Sequence, residues 1–303
     1  MGHGIAVVHA IGGCSVTLYD LSSERLGSAR SQIAGALKTL TEAGALSQAD
    51  AQSAEQRISY EEDFDSAVAH ADVVVECVTE DIEVKRALYL KIAGSAPATA
   101  ILASNTSYLE IFPALPPALE ARSFIVHWYT PPYIIDLVDI VPAPGTAPEL
   151  AASLLRFIED RLGKKPVLLK CFISGYLANR IQMAIESEAF RLLDAGVADV
   201  ADIDRSISQG LGLRLALLGQ FRKIDYTGLR VVRDSHRFGI YEPPKLPTGS
   251  RKLEQLVEKG QEGVLAGSGF YDYEGQSSSE LFRKRDLDLL ALKATMAELK
   301  KTK

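Results

Sequence analysis

His127 closes the run Phe124-Ile125-Val126-His127, and Asp139 follows twelve residues later inside the run Leu137 to Val141. Imidazole is the side chain whose ordinary pKa lies nearest neutrality, so it can take a proton from a hydroxyl and return it. A carboxylate beside the ring would fix its tautomer and stabilise the imidazolium that forms. Both runs read as short strands, and the second can fold back beside the first. The pair therefore suits the proton-transfer half of an alcohol oxidation.

The other half needs a hydride acceptor, and the opening residues offer a seat for one. Met1-Gly2-His3-Gly4-Ile5-Ala6 leads into a helical stretch to about Gly12, then into the strand-like Ser15 to Tyr19, closed by Asp20. In a dinucleotide-binding βαβ unit the third glycine of GxGxxG starts a helix, a strand follows, and an acidic residue ends it. Gly2 and Asp20 stand in those places, 18 residues apart. An acid there accepts hydrogen bonds from the adenosine ribose and repels a 2′-phosphate, which favours NAD over NADP. The strand before the helix and the first two glycines of the fingerprint are missing from this sequence. We expect an N-terminally truncated unit, with an unpaired gap in its sheet costing several hydrogen bonds.

The elements that must position these residues change character along the chain. Ser15 to Tyr19, Val73 to Cys77, Ala100 to Ala103, Phe124 to His127 and Leu137 to Val141 are short apolar runs. Helical stretches such as Ser22 to Ala43 and Ile82 to Ser95 separate the earlier ones. That alternation predicts a parallel sheet covered on both faces, an α/β domain of the Rossmann type over residues 1–170. Beyond it, Leu177, Ile181, Ile185, Ala189 and Leu192 recur at three- and four-residue spacing, a core-facing helical stripe. An all-α domain over 171–303 is expected, ending in an amphipathic tail helix, Lys293 to Lys303.

Composition bounds the function from outside. The chain has 303 residues, 47% apolar and 24% charged, with a formal net charge of −6, which attracts neither nucleic acid nor an anionic membrane in bulk. Cys14, Cys77 and Cys171 fit neither a disulfide framework nor a metal site, and their apolar surroundings predict buried, inert thiols. No apolar run reaches membrane-spanning length. A cytoplasmic, reducing compartment is the expectation.

Seven further segments recur in one order. They are EDIEVK from Glu80, SNTS from Ser104, FIVHWYTPP from Phe124, LVDIV from Leu137, GYLANR from Gly175, GQFRKIDYTGL from Gly219 and GSGFY from Gly267. In order and spacing they resemble the L-3-hydroxyacyl-CoA dehydrogenase family from end to end. The stretches ECVTEDIEVK, PPYIIDLVDIVPAPGTAP and NRIQMAIESEAFRLLDAGVADVADIDRSISQGLGLR are similar to the branch containing λ-crystallin and L-gulonate 3-dehydrogenase.

The resemblance implies an NAD-dependent oxidoreductase that interconverts a 3-hydroxyacyl-CoA, or a free 3-hydroxy acid, and its 3-oxo product. It also implies a place in fatty acid metabolism and a homodimer formed through the helical domain, with Leu211 to Leu218 as apolar contact. It assigns His127 and Asp139 to catalysis, with Ser107 and Asn179 hydrogen-bonding the reacting oxygen and its neighbours. Glu80, Lys85 and Asn105 fall near the nicotinamide, joining Gly2 and Asp20 on the cofactor. Thr130 falls among the substrate contacts.

Three departures stand out. Asp139 occupies a position that is normally Glu, one methylene longer, and Thr130 one that is normally Asn. The helix after Asp20 carries only Arg25, Arg30 and Lys38, with Glu42 and Ala43 where a basic cluster normally holds CoA phosphates. The missing basic cluster favours a substrate without CoA, and Asp139 and Thr130 point to an altered substrate preference or weakened activity. They also keep open a non-catalytic, crystallin-like structural or binding protein on the same fold.

Overall fold

The computed structural model describes residues 1–239, 241–243 and 249–301. They form two compact units, Met1–Leu177 with Arg285–Ala294, and Ala178–Lys284 with Thr295–Lys303. The first therefore extends past residue 170 and includes a piece of the last helix.

In the first unit the elements run α1 (Gly2–Ile11), β1 (Val16–Tyr19), α2 (Ser23–Glu42), α3 (Gln48–Gln56), β2 (Ile58–Glu61), α4 (Phe64–Val68), β3 (Val73–Glu76), α5 (Ile82–Ser95), β4 (Ile101–Ser104), α6 (Pro117–Glu120), β5 (Ser123–Trp128), β6 (Leu137–Pro142), α7 (Pro148–Arg156) and β7 (Lys165–Leu168). β1 and β2 pair in parallel as a two-stranded sheet, and β3-β4-β5-β6-β7 form a five-stranded one. The larger sheet is mixed: β5 and β6 run antiparallel, while every other neighbouring pair in it is parallel. A short connection from Tyr129 to Asp136 explains the reversal, because a parallel return needs a crossover of a dozen or more residues.

Helix α1 serves both sheets. Its Ile5 and Val8 join Phe124, Val126, Trp128 and Val138 in one apolar cluster, and its Ala6, Val7 and Ala10 join Ile33, Leu37 and Ile58 in another. A Cβ on Gly2 would lie 3.9 Å from both Leu18 Cδ1 and Cys77 Cβ. The start of α1 thus sits between the ends of β1 and β3. Strand alternation sends Ile125, His127, Asp139 and Val141 to the opposite face of the larger sheet, where Ile125 and Val141 pack with Tyr89, Leu102 and Tyr176.

The second unit holds α8 (Ala178–Asp194), α9 (Val200–Arg205), α10 (Leu213–Thr227), α11 (Leu229–Arg237), α12 (Arg251–Glu258) and the ends of α13 (Ser278–Lys301). α8 begins two residues later than the sequence pattern predicts, because Tyr176 has a left-handed φ of +52°. The stripe on α8 is not a core: Leu177 and Ile181 are exposed, and α8 to α11 bury none of their residues. The expected tail helix is the later part of α13, and residues 302 and 303 lie outside the described residues. Cys171 is exposed, against expectation, because it lies in the loop after β7 and not in an element.

Candidate active site

The candidate site is built on the ends of β3, β4 and β5, the edge at which open α/β sheets bind ligands. His127 and Asp139 are direct partners across the antiparallel β5–β6 pair, so their side chains leave the sheet on one face. Both are buried, His127 at 5% exposure and Asp139 at 0%. They do not share a hydrogen bond. His127 Nδ1 and Asp139 Oδ1 are each buried without a partner, while Asp139 Oδ2 accepts from the Tyr129 hydroxyl at 2.6 Å.

Two tyrosines flank the imidazole. Tyr129 meets it edge-on, with ring centroids 4.6 Å apart, and Tyr176 lies tilted at 4.7 Å. The Tyr176 hydroxyl donates to the Thr106 carbonyl, fixing that ring in turn. Burial pushes the His127 imidazole down to about 4, with Glu80 pulling weakly the other way, so the ring is neutral at physiological pH. Burial raises the Asp139 carboxyl, opposed by the Tyr129 hydroxyl and the Leu177 N–H.

Glu80 organises the loop beyond β4. Its carboxylate accepts from Thr106 Oγ1 at 2.8 Å and from the Ser107 N–H. Asp81 caps α5 by accepting from the N–H groups of Glu83 and Val84, which sets Glu80 and Lys85 at the helix start. Lys85 is only 1% exposed. Its ammonium lies 2.8 Å from Glu76 and 3.5 Å from Glu80. Glu76 also accepts from Tyr89 at 3.0 Å and from Ser104 at 2.6 Å. Lys85 is thus a buried ion-pair partner that reaches the site through Glu80. Asn105 is similarly engaged, its Oδ1 accepting the Trp128 N–H at 2.9 Å, a staple between the ends of β4 and β5.

At the cofactor end, α1 starts at Met1 without a side-chain cap. Its first N–H groups are free to meet a phosphate. Asp20 ends β1 beside this point, with Oδ1 accepting the Ser22 N–H at 3.1 Å and Ser22 capping α2. These residues fit a dinucleotide: uncapped amides for its pyrophosphate and a half-exposed carboxylate for its ribose. Thr130 is exposed, its hydroxyl 3.0 Å from Met1 Sδ. Asn179 stands in the first turn of α8, in the second unit. On α2, Arg30 lies over the Tyr60 ring, 4.4 Å from its centroid. The helix ends at Glu42 without a basic residue in its last turn.

Sequence reasoning passed over Glu76, Tyr129 and Tyr176. An acid inside the apolar run VVVE was a signal, since a buried carboxylate needs partners. Tyr129, two residues beyond His127, was readable as a same-side neighbour. Nothing in the sequence marked the left-handed Tyr176.

A family model described as "3-hydroxyacyl-CoA dehydrogenase, NAD binding domain" matches residues 1–171, and one described as "3-hydroxyacyl-CoA dehydrogenase, C-terminal domain" matches 175–273. The 5-formyl-3-hydroxy-2-methylpyridine 4-carboxylate 5-dehydrogenase of Mesorhizobium japonicum is 29% identical over 300 residues, 97% of this chain and 94% of its own length. Human mitochondrial hydroxyacyl-coenzyme A dehydrogenase is 31% identical over 283 residues, covering 90% and 88%. The human lambda-crystallin homolog is 33% identical over 223 residues, covering 72% and 69%. Among solved structures, a 5-formyl-3-hydroxy-2-methylpyridine 4-carboxylic acid 5-dehydrogenase, described as an NAD+-dependent dismutase, superposes with a TM-score of 0.87 at 27% identity, covering 98% of this chain and 95% of the other.

Proposed function

We propose that this chain, which belongs to the 3-hydroxyacyl-CoA dehydrogenase family, uses NAD to interconvert a small free 3-hydroxy acid and its 3-oxo product, without CoA. Membership makes it an NAD-dependent oxidoreductase; the substrate and the residue roles are our reading. The observation that carries it is a neutral, buried His127 directly opposite a buried carboxylate at the ligand-binding edge of the sheet.

Bound NAD supplies the hydride acceptor. The α1 amides at Gly2 and His3 and the Asp20 carboxylate hold its phosphate and ribose, and Glu80, Lys85 and Asn105 shape the nicotinamide end. His127 takes the substrate's hydroxyl proton, and Asp139 stabilises the imidazolium. Ser107 donates to the oxygen, whose negative charge develops in the reducing direction. Thr130 holds the substrate's flank. The absence of CoA is supported by the sparse cations of α2, of which Arg30 is stacked over Tyr60, and by a relative named for a pyridine carboxylate.

A second reading, a non-catalytic crystallin-like member, is favoured by one observation, the unmade bond between His127 and Asp139. An NADH assay with 3-hydroxybutyrate, L-gulonate and acetoacetyl-CoA separates the three cases. Turnover of a free acid supports our reading, turnover of the thioester alone restores CoA, and no turnover favours the second.

We also propose a cytoplasmic homodimer that covers the apolar residues left open on the helical unit, among them Leu213, Phe221, Leu229 and Phe238. Sedimentation of the protein as a monomer at micromolar concentration would sink this.

A further inference from the structure

We propose that Tyr129 is a positioning residue for the reaction, holding Asp139 so that a carboxylate one methylene short can serve His127. The proposal rests on His127 being the general base.

Cross-strand pairing fixes the two backbones, so the reach of Asp139 toward His127 is set by its side chain. That side chain is tethered by the Tyr129 hydroxyl on Oδ2, with the Leu177 N–H also drawn to the carboxylate, and Oδ1 is left without a hydrogen bond. Oδ1 lacks a donor and His127 Nδ1 lacks a partner, and both are buried. A neutral imidazole with its proton on Nδ1 would satisfy both at once. Buried orphans of complementary type on facing residues are unstable apart, because each forfeits its water without a replacement. The tyrosines pack against the ring, and cross-strand pairing keeps the two side chains on neighbouring positions of one face. When His127 accepts the substrate proton, the imidazolium meets a carboxylate whose charge Tyr129 stabilises by a charge-assisted bond. The titratable groups facing this pair are Tyr129, Tyr176 and Glu80.

A longer acid at this position would extend toward the Tyr129 hydroxyl, which already lies 2.6 Å from Oδ2. That predicts compensation. Tyr129→Phe should lower kcat about 10- to 100-fold, the worth of a hydrogen bond to a charged group, with KM little changed. Asp139→Glu alone should also lose activity, overpacked against the hydroxyl. The double variant Tyr129→Phe/Asp139→Glu should recover most of the loss. Imidazole NMR, with the His127 signal assigned by His127→Gln, reads the same link without turnover: Tyr129→Phe should lower the His127 pKa further. An unchanged His127 titration in Tyr129→Phe, or a double variant no better than Asp139→Glu, overturns the role of Tyr129. A wild-type protein without turnover on any substrate overturns instead the proposed reaction, and the titration still decides the positioning.

Discussion

The Lys85 ammonium and the Glu76 carboxylate meet at 2.8 Å in a place water scarcely reaches. Breaking such a pair from one side strands the other charge. Lys85→Met should therefore cost about 3–5 kcal/mol in urea unfolding. Glu76→Gln should cost less, because Glu80 remains 3.5 Å from Lys85. A Lys85→Met protein of near wild-type stability would show that the pair is not formed.

Asp20 should set the choice of cofactor. Asp20→Ser is expected to weaken NAD binding and narrow the gap to NADP, read by fluorescence titration of both reduced cofactors. Better use of NADP by the unmutated protein would remove Asp20 from that role.

His127 gives a pH signature with a definite sign. Its folded pKa lies near 4, against an ordinary 6.5. The base form therefore persists in acid, and the acidic limb of kcat/KM for oxidation should fall well below pH 6.5. The unfolded chain takes its proton near 6.5 and the folded chain only near 4, so this group costs nothing above 6.5. Below that its cost to stability grows as pH falls, reaching on the order of 3 kcal/mol. His127→Gln should flatten that slope in denaturation curves and lower kcat by roughly 10²–10⁴-fold.

Gly4 tests the seat of α1. A Cβ there would lie 2.7 Å from Pro132 Cγ and 3.0 Å from its Cδ. Gly4→Ala must push the Tyr129–Asp136 connection away from α1 and should cost about 1–3 kcal/mol. A neutral or higher melting temperature would show that Pro132 yields freely.

Much of this was legible in the residues. The strands carrying His127 and Asp139 were readable because short, mostly apolar β-branched runs, interrupted only by those two residues, leave few alternatives, and α5 because Asp81 announces its start. Two strands were not. Ile58–Glu61 alternates apolar and polar in only four residues, and Lys165–Leu168 contains a proline, so neither pattern separates from a loop. In the site, residue types pointed to His127 and Asp139, but the bonds did not follow from types. Which oxygen Tyr129 takes, and that Lys85 is spent on Glu76, depend on side-chain geometry across strands.

The last helix carries a consequence for synthesis. Tyr133 bonds Asp286 and the Ile134 carbonyl accepts from Lys293, partners 153 and 159 residues apart in sequence. Leu290 completes the apolar cluster that α1 shares with α2 and α3. A ribosome releasing this chain from its N-terminus therefore holds the nucleotide-binding half unfinished until its last turns of helix emerge. Until Asp286, Leu290 and Lys293 have been made, that half has no latch.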